Sequence, residues 1–224
     1  DAYAAAKALL FESLAEDAYA IVNADDPPAA RMVRNCRAMV WRASLKDAEA
    51  DLHAELHALD AGGMDATFTG PWGAFRVHLP LVGQHNLMNA LEAAGAAHAL
   101  GAGADALSDA LRTAHAPAGR LEPVHGSDDG FSVLVDYAHT DDALENVLRA
   151  VRPLVPEGAQ LTVVFGCGGD RDRTKRPRMA KVAATHANRT IITRDNPRTE
   201  NPASIQRENE TGVPPAHQHE TQTN

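Results

Sequence analysis

The stretch Val163-Val164-Phe165-Gly166-Cys167-Gly168-Gly169-Asp170 constrains the fold more than any other part of the chain. A short β-branched apolar run suits a buried strand, and three glycines in four positions then demand a tight turn. Arg171, Arg173, Lys175 and Arg176 follow and open a helical pattern. Strand, glycine turn and helix together predict an anion-binding corner: glycines let backbone approach a ligand closely, and a helix start offers unpaired N–H groups. Further on, the strand-like residues 190–193 end at Asp195-Asn196-Pro197-Arg198. That places an acid, an amide and a guanidinium at a strand's carboxyl end, where open α/β sheets bind ligands. Taken singly, a glycine turn is only a turn and a basic run is a solvated face. Their conjunction is what points to a site.

Strands and helices alternate around this corner. Residues 132–135, 161–165 and 190–193 read as strands, and 141–151 and 176–187 as helices, the grammar of a parallel, Rossmann-like sheet. The first half differs. A helix is predicted over 2–15 with Leu9, Leu10, Phe11 and Leu14 as its buried stripe, then a strand at 19–22, a helix at about 28–36 and a strand at 39–41. Leu52, Ala54, Leu56 and Ala58 alternate with polar neighbours, and 66–69 and 75–79 add two strands to make a small meander. Residues 86–100 form a helix with Leu87, Leu91, Ala94 and Ala97 inward, closed by Gly101 to Gly103, and a second helix covers 105–114. Pro117-Ala118-Gly119 reads as a linker, with a domain boundary between about 115 and 122. From Gln206 the composition turns polar, and residues 206–224 are expected to be a disordered tail.

With 224 residues, 44% hydrophobic and 23% charged, the chain can bury one large core or two modest ones. No apolar run approaches the roughly 18 residues that would suggest a membrane helix. A formal charge of −9 argues against general nucleic-acid binding, so any anion site is local. Cys36 and Cys167 stand far apart without a CxxC partner, which suggests neither a disulfide framework nor a zinc site, and a reducing cytoplasm fits best. No signal peptide opens the chain. His53-Ala54-Glu55-Leu56-His57 lacks the glutamate directly after the first histidine that a zinc-protease helix requires. His217 and His219 lie in the polar tail and suggest no specific metal.

The strings FGCGGDRD and DNPR are accompanied, in order, by Ala5-Ala6-Lys7, Asn23-Ala24-Asp25-Asp26, Gly83-Gln84-His85-Asn86 with Asn89, Gly119-Arg120-Leu121-Glu122 and Asp136-Tyr137-Ala138-His139-Thr140. On these motifs the chain resembles the Mur ligases of peptidoglycan synthesis, in their meso-diaminopimelate-adding branch, over roughly residues 1 to 205. The resemblance implies an α/β fold in two incomplete parts: the later part of a central ATPase domain, a mixed sheet with helices, over 1–116, and the first part of a Rossmann-like C-terminal domain over 117–205. It implies ATP-dependent addition of meso-2,6-diaminopimelate to UDP-N-acetylmuramoyl-L-alanyl-D-glutamate through an acyl phosphate, with ATP and Mg2+, by a cytoplasmic monomer. The family pattern has proline after the His-Thr pair, where this chain has Asp141. Neither a GxxxxGK[ST] phosphate loop nor a Gly-Lys-Gly-His-Glu-like segment occurs, so the chain reads as an internal fragment, inactive alone.

The family's roles transfer residue by residue. Lys7 matches the carbamylated lysine whose anionic oxygen reaches Mg2+, a metal that favours such hard ligands; alone it would be a solvated helix lysine. Asn86 and Asn89 match adenine-recognition positions, and Arg120, Asp136 and His139 match positions that hold nucleotide phosphate and ribose. Without the resemblance they read as an N-cap and a strand-end acid. Arg171, Asp195, Asn196, Pro197 and Arg198 match the diaminopimelate site. There a guanidinium can hold a carboxylate bidentately while the acid and amide accept from an ammonium group, with Pro197 fixing the turn. The plain structural reading pairs Arg198 with Glu200. Two other readings remain: a lysine- or glutamate-adding Mur or folylpolyglutamate-type ligase, which DNPR disfavours, and a non-catalytic remnant, which a phosphate loop encoded ahead of Asp1 would exclude.

Overall fold

The computed structural model describes residues 2–60, 62–124 and 130–222. They divide into two units, residues 1–116 and 117–224.

The first unit runs α1 (Ala2–Glu12), β1 (Tyr19–Asn23), α2 (Ala29–Met32), β2 (Met39–Ser44), β3 (Leu52–Asp60), β4 (Gly63–Gly70), β5 (Gly73–Leu79), α3 (Gln84–Ala99) and α4 (Ala104–Arg112). Its sheet has the order β1-β2-β3-β4-β5. The first three strands are parallel, and β3, β4 and β5 form an antiparallel meander. The mixture follows from connection length. Tight turns join antiparallel neighbours, whereas β1 reaches β2 through α2. Leu52, Met64, Phe68 and Leu79 on the sheet meet Leu87 and Leu91 on α3 in the core. Gly95 lets that helix close on the sheet, since a Cβ there would stand 2.4 Å from Leu52 Cδ1. A bulge between Leu56 and Ala58 shifts the register of β3, so Ala58 is exposed and Leu59 becomes the partly buried residue, against the alternation expected there. The predicted stripe on α1 is also corrected: Leu9 is 66% and Leu10 64% exposed, leaving Phe11 and Leu14 half-buried. Residues 4–6 and 8–11 are all apolar and circle the helix, so propensity accounts for α1 without any one-sided face.

The second unit contains β6 (Glu122–Val124), β7 (Val133–Val135), α5 (Asp141–Val151), β8 (Thr162–Phe165), α6 (Lys175–His186), β9 (Arg189–Ile192), α7 (Pro202–Glu210) and β10 (Gln218–Thr221). Strands β10, β9 and β8 form a parallel sheet in that order, as βαβ grammar requires. Val163, Phe165 and Ile192 bury against Leu144, Leu148, Met179, Ala180 and Ala183 of α5 and α6. Residues 133–135, expected in that sheet, instead pair antiparallel with β6 in a separate ribbon. A partner close in sequence is entropically cheaper to reach, and the exposure of Val133 and Val135 shows a strand on the surface.

The tail expected to be disordered is ordered up to residue 222; 223 and 224 lie outside the described residues. Asn201 caps α7, its Oδ1 accepting from the Ala203 and Ser204 amides. Ile205 and Val213 join the core, while Gln206 and Asn209 are buried and hydrogen-bonded. Composition misleads here because few apolar residues are needed when buried amides are satisfied. β10 then adds to β9, and the Gln222 amide donates to the Ile192 carbonyl at 2.8 Å.

Candidate functional site

Because β8 and β9 are parallel neighbours, the loops after them, residues 166–174 and 193–201, emerge side by side. Their glycines explain how they fit. A Cβ on Gly169 would stand 1.9 Å from the Pro197 carbonyl oxygen, and one on Gly166 2.8 Å from that of Thr193. The Gly169 amide donates to the Asn196 carbonyl at 2.9 Å, and the Asp170 amide to Glu200 Oε1 at 2.7 Å. This corrects the expected anion corner. The glycines serve close approach of loop to loop, and these two amides already have protein acceptors.

What the interlock displays is Arg198. Asp195 Oδ1 accepts from the Asn196 amide at 2.7 Å, and Asn196 Oδ1 accepts from the Arg198 amide at 3.1 Å. Arg198 adopts a left-handed φ of 50° and Asp170 one of 52°, conformations that side chains rarely take without surrounding constraint. Asp170 supplies such a constraint, its carboxylate accepting from Thr199 Oγ1 at 2.7 Å and the Thr199 amide at 3.3 Å. Arg198 is exposed, and no acidic partner of its guanidinium occurs among the described residues. Arg171, next in the chain to Asp170, is exposed as well.

Glu200 does not pair with Arg198. It forks onto Arg176, with Nη2 to Oε1 at 2.7 Å and Nη1 to Oε2 at 2.9 Å. Arg176 is 0% exposed and also donates to Glu208 on α7 at 2.6 Å. Hydrogen bonds from Arg176, then from the Asp170 amide, hold the Glu200 carboxyl down at about 2. Bonding to Glu200 raises the Arg176 guanidinium above its ordinary range, against the opposing effect of burial. Nearby, Cys167 Sγ donates to Asn209 Oδ1 at 3.2 Å, and burial pushes its thiol up, so it is an inert core thiol. A small crevice beside it is lined by Thr193, Asp195, Pro202 and Ile205.

The expected nucleotide positions of this unit form a second patch. Asp136 organises it: Oδ2 accepts from the Leu121 amide at 2.9 Å and Oδ1 from the Ala138 amide at 2.8 Å. One carboxylate therefore ties the Arg120 turn to the His139 loop. The Arg120 guanidinium lies 5.4 Å from the Tyr137 ring centroid, and Tyr137 meets His139 edge-on at 5.2 Å. Lys175 Nζ donates to the His139 carbonyl at 2.7 Å, linking this patch to the start of α6. Tyr137 and Lys175 were not among the expected site residues. Tyr137 lies inside a recognised string and Lys175 just beyond one, and the available signal was an aromatic next to an acid and a cation shortly after the glycine loop. Asp141 occupies the first turn of α5, where a carboxylate favours the helix dipole; Thr140 Oγ1 caps that helix by accepting from the Ala143 amide at 3.2 Å.

The remaining expected residues belong to the first unit. Lys7 is exposed on α1. Asn86 is buried at the start of α3, its Nδ2 donating to the Val82 carbonyl at 2.8 Å, whereas Asn89 one turn on is exposed. The structure thus does not present two open amides side by side, because the first caps its own chain. Among the described residues no group of three His, Cys, Asp or Glu side chains could hold a metal ion. A metal bound near Lys7 would therefore need oxygen ligands from other sources.

Comparison with known proteins gives these patches a context. Residues 1–97 match the Mur ligase middle domain, and residues 119–223 match the Mur ligase glutamate ligase domain. The chain is 43% identical over 214 residues to the UDP-N-acetylmuramoyl-L-alanyl-D-glutamate–2,6-diaminopimelate ligase of Trichormus variabilis, covering 95% of this chain and 43% of that protein. The enzyme of the same name from Chlorobaculum tepidum is 42% identical over 218 residues, covering 94% of this chain and 43% of its own. A solved structure of a ligase of that name superposes with a TM-score of 0.67 at 36% identity, over 100% of this chain and 46% of that one. A Thermotoga maritima folylpolyglutamate synthase reaches a TM-score of 0.72 at 19% identity, over 91% of this chain and 47% of that one, a likeness of fold alone. The chain spans a little under half the length of these relatives.

Proposed function

Since the chain belongs to the Mur ligase family, both of its units being matched by that family's domains, we propose that it supplies nucleotide and amino-acid contacts of an ATP-dependent ligase adding meso-2,6-diaminopimelate to UDP-N-acetylmuramoyl-L-alanyl-D-glutamate. The observation that carries this reading is the display of Arg198, whose guanidinium has no acidic partner among the described residues, beside Asp195 and Asn196. A fork-shaped cation suits the far carboxylate of diaminopimelate, and the acid and amide suit its ammonium group. Pro197 fixes the turn, and Arg171 follows Asp170, whose carboxylate holds Thr199. Lysine lacks that carboxylate and would leave the guanidinium without its partner.

ATP, when bound, supplies the phosphoryl group that activates the acceptor's carboxylate as an acyl phosphate for attack by the amine. In this reading Arg120 and Asp136 of the second unit serve nucleotide phosphate and ribose with His139 beside them, and Asn86 and Asn89 are the first unit's own candidates for adenine recognition. The fit is good for Arg120 and His139, which are exposed. It is narrower for Asp136, whose two oxygens each already accept one amide and keep one lone pair direction. Lys7, as a carbamate, would be a single oxygen ligand to Mg2+, with phosphate and water oxygens completing the shell. Such a ligase would work in the cytoplasm as a monomer.

The test is isothermal titration of the chain with meso-diaminopimelate and with L-lysine. Binding of the first, at least tenfold weaker binding of the second, and loss of the difference in Arg198→Ala are expected. Equal affinities, or indifference to Arg198→Ala, would assign the site to another amino acid.

A further inference from the structure

Two residues after Arg198, the chain carries an acid that could neutralise it. Glu200 in an outward rotamer would compete with any ligand carboxylate for the same guanidinium. The structure turns it inward. Both of its oxygens face Arg176, at 2.7 and 2.9 Å, and Oε1 also accepts the Asp170 amide at 2.7 Å. We propose that Glu200 is a positioning residue for amino-acid specificity: locked onto the buried Arg176, it holds the Asp170 and Arg198 turns in register and is withheld from Arg198 itself. The specificity part rests on the diaminopimelate reading above.

Three observations support the lock. Arg176 is wholly buried, and a buried cation needs paired carboxylates, so Glu200 cannot turn outward without leaving charge half-compensated. Glu208 contributes one bond at 2.6 Å and the Gly168 carbonyl one at 3.4 Å, so among the described residues only Glu200 gives Arg176 a two-point fork. The grip is also reciprocal. Glu200 holds the backbone of Asp170, while the Asp170 side chain holds Thr199, with Arg198 next in the chain. The two left-handed residues of these loops, Asp170 and Arg198, lie inside this closed set of bonds. Left-handed φ at a side-chain-bearing residue is strained and persists where neighbours over-determine it.

The test compares Glu200→Ala and the shape-preserving Glu200→Gln with Leu148→Ala, a buried α5 substitution that destabilises the same unit without touching the loops. Amide hydrogen exchange at Asp170 and the ratio of lysine to diaminopimelate dissociation constants are measured on the chain, after all variants are shown to be folded by circular dichroism. Expected are at least tenfold faster Asp170 exchange and at least a tenfold drop in the ratio for Glu200→Ala, with Glu200→Gln intermediate. For Leu148→Ala the ratio should stay within twofold of wild type. Should Glu200→Ala fail to fold, Glu200→Gln carries the comparison alone. Changes in the Glu200 variants no larger than those in Leu148→Ala overturn the proposal. If the unaltered chain binds neither amino acid, the substrate reading falls and takes the specificity part with it, while the exchange rates still decide whether Glu200 locks the loop.

Discussion

Adjacent glycines in the loop after β8 should respond oppositely to alanine. At Gly169 a Cβ would sit 1.9 Å from the Pro197 carbonyl oxygen and 2.6 Å from its carbon, and both are backbone atoms that cannot swing aside. Relief requires the two loops to part, which lengthens the 2.9 Å bond from the Gly169 amide to Asn196. Overpacking of this kind costs roughly 1–3 kcal/mol, and the lost bond adds about 1, so Gly169→Ala should destabilise the second unit by about 3 kcal/mol. At Gly168 the nearest atoms are Asp195 Oδ2 at 3.4 Å and the Asn196 carbonyl oxygen at 3.5 Å, ordinary contact, and its φ is not in the left-handed range. There alanine removes unfolded-state freedom without strain, and Gly168→Ala should be neutral or stabilising by up to about 1 kcal/mol. Urea unfolding followed by circular dichroism, with the m-value checked for constancy, measures both. If Gly169→Ala lay within about 0.5 kcal/mol of wild type, or Gly168→Ala were equally damaging, the loops would not interlock as described.

Arg198→Ala should weaken meso-diaminopimelate binding by about ten- to a hundredfold, the worth of a charge-assisted fork of roughly 1.5–3 kcal/mol, as read by titration calorimetry. Glu200 sits at about 2 in the folded unit against an ordinary 4.5, so its contribution is fully present above about 4.5 and is lost as pH falls through about 2. Urea midpoints between pH 5 and 2 should show that decline, and it should shrink in Glu200→Gln. In the first unit, Phe68→Ala should cost about 3–5 kcal/mol by urea titration, since the ring is fully buried and stacks on Phe75 at 5.6 Å between centroids. Leu9→Ser should change stability by less than about 0.5 kcal/mol, because this side chain is largely exposed and was never in the core.

Most of the fold could be read from local pattern. The parallel sheet of the second unit announced itself through β-branched runs ending in glycine or Asp-Asn-Pro, and the meander through period-two alternation bounded by Gly-Gly and Pro-Trp-Gly. The misses share one cause: each depended on what a segment meets in three dimensions. Residues 133–135 have strand composition, but nothing in that composition chooses between β6 and β8 as partner. The stretch after Gln206 lacks apolar residues, yet α7 and β10 form because Asn209 and Gln206 find acceptors and β9 has a free edge. α1 has apolar residues enough for a stripe, but the exposure of Leu9 and Leu10 shows that abundance does not imply a covering partner.

The site was legible in its residue types and only partly in their relations. Asp195, Asn196, Pro197 and Arg198 could be placed at a strand end by spacing alone, and Arg198 does stand exposed there. Arg176 and Glu200 could not be told apart from the other charges of their motifs, because sequence assigns charge but not direction. Arg176 lies among Arg171, Arg173, Lys175 and Arg178, yet it alone of these is buried. Helical geometry explains the selection: positions 176, 179, 180 and 183 share the face of α6 that packs on the sheet, so residue 176 must enter the core beside Met179 and Ala180. A cation forced inward needs carboxylates, and the two within reach are Glu200 after β9 and Glu208 on α7. The position of one arginine on a helical wheel thus decides which acid near Arg198 is removed from the surface, and that removal leaves a guanidinium free to read a carboxylate.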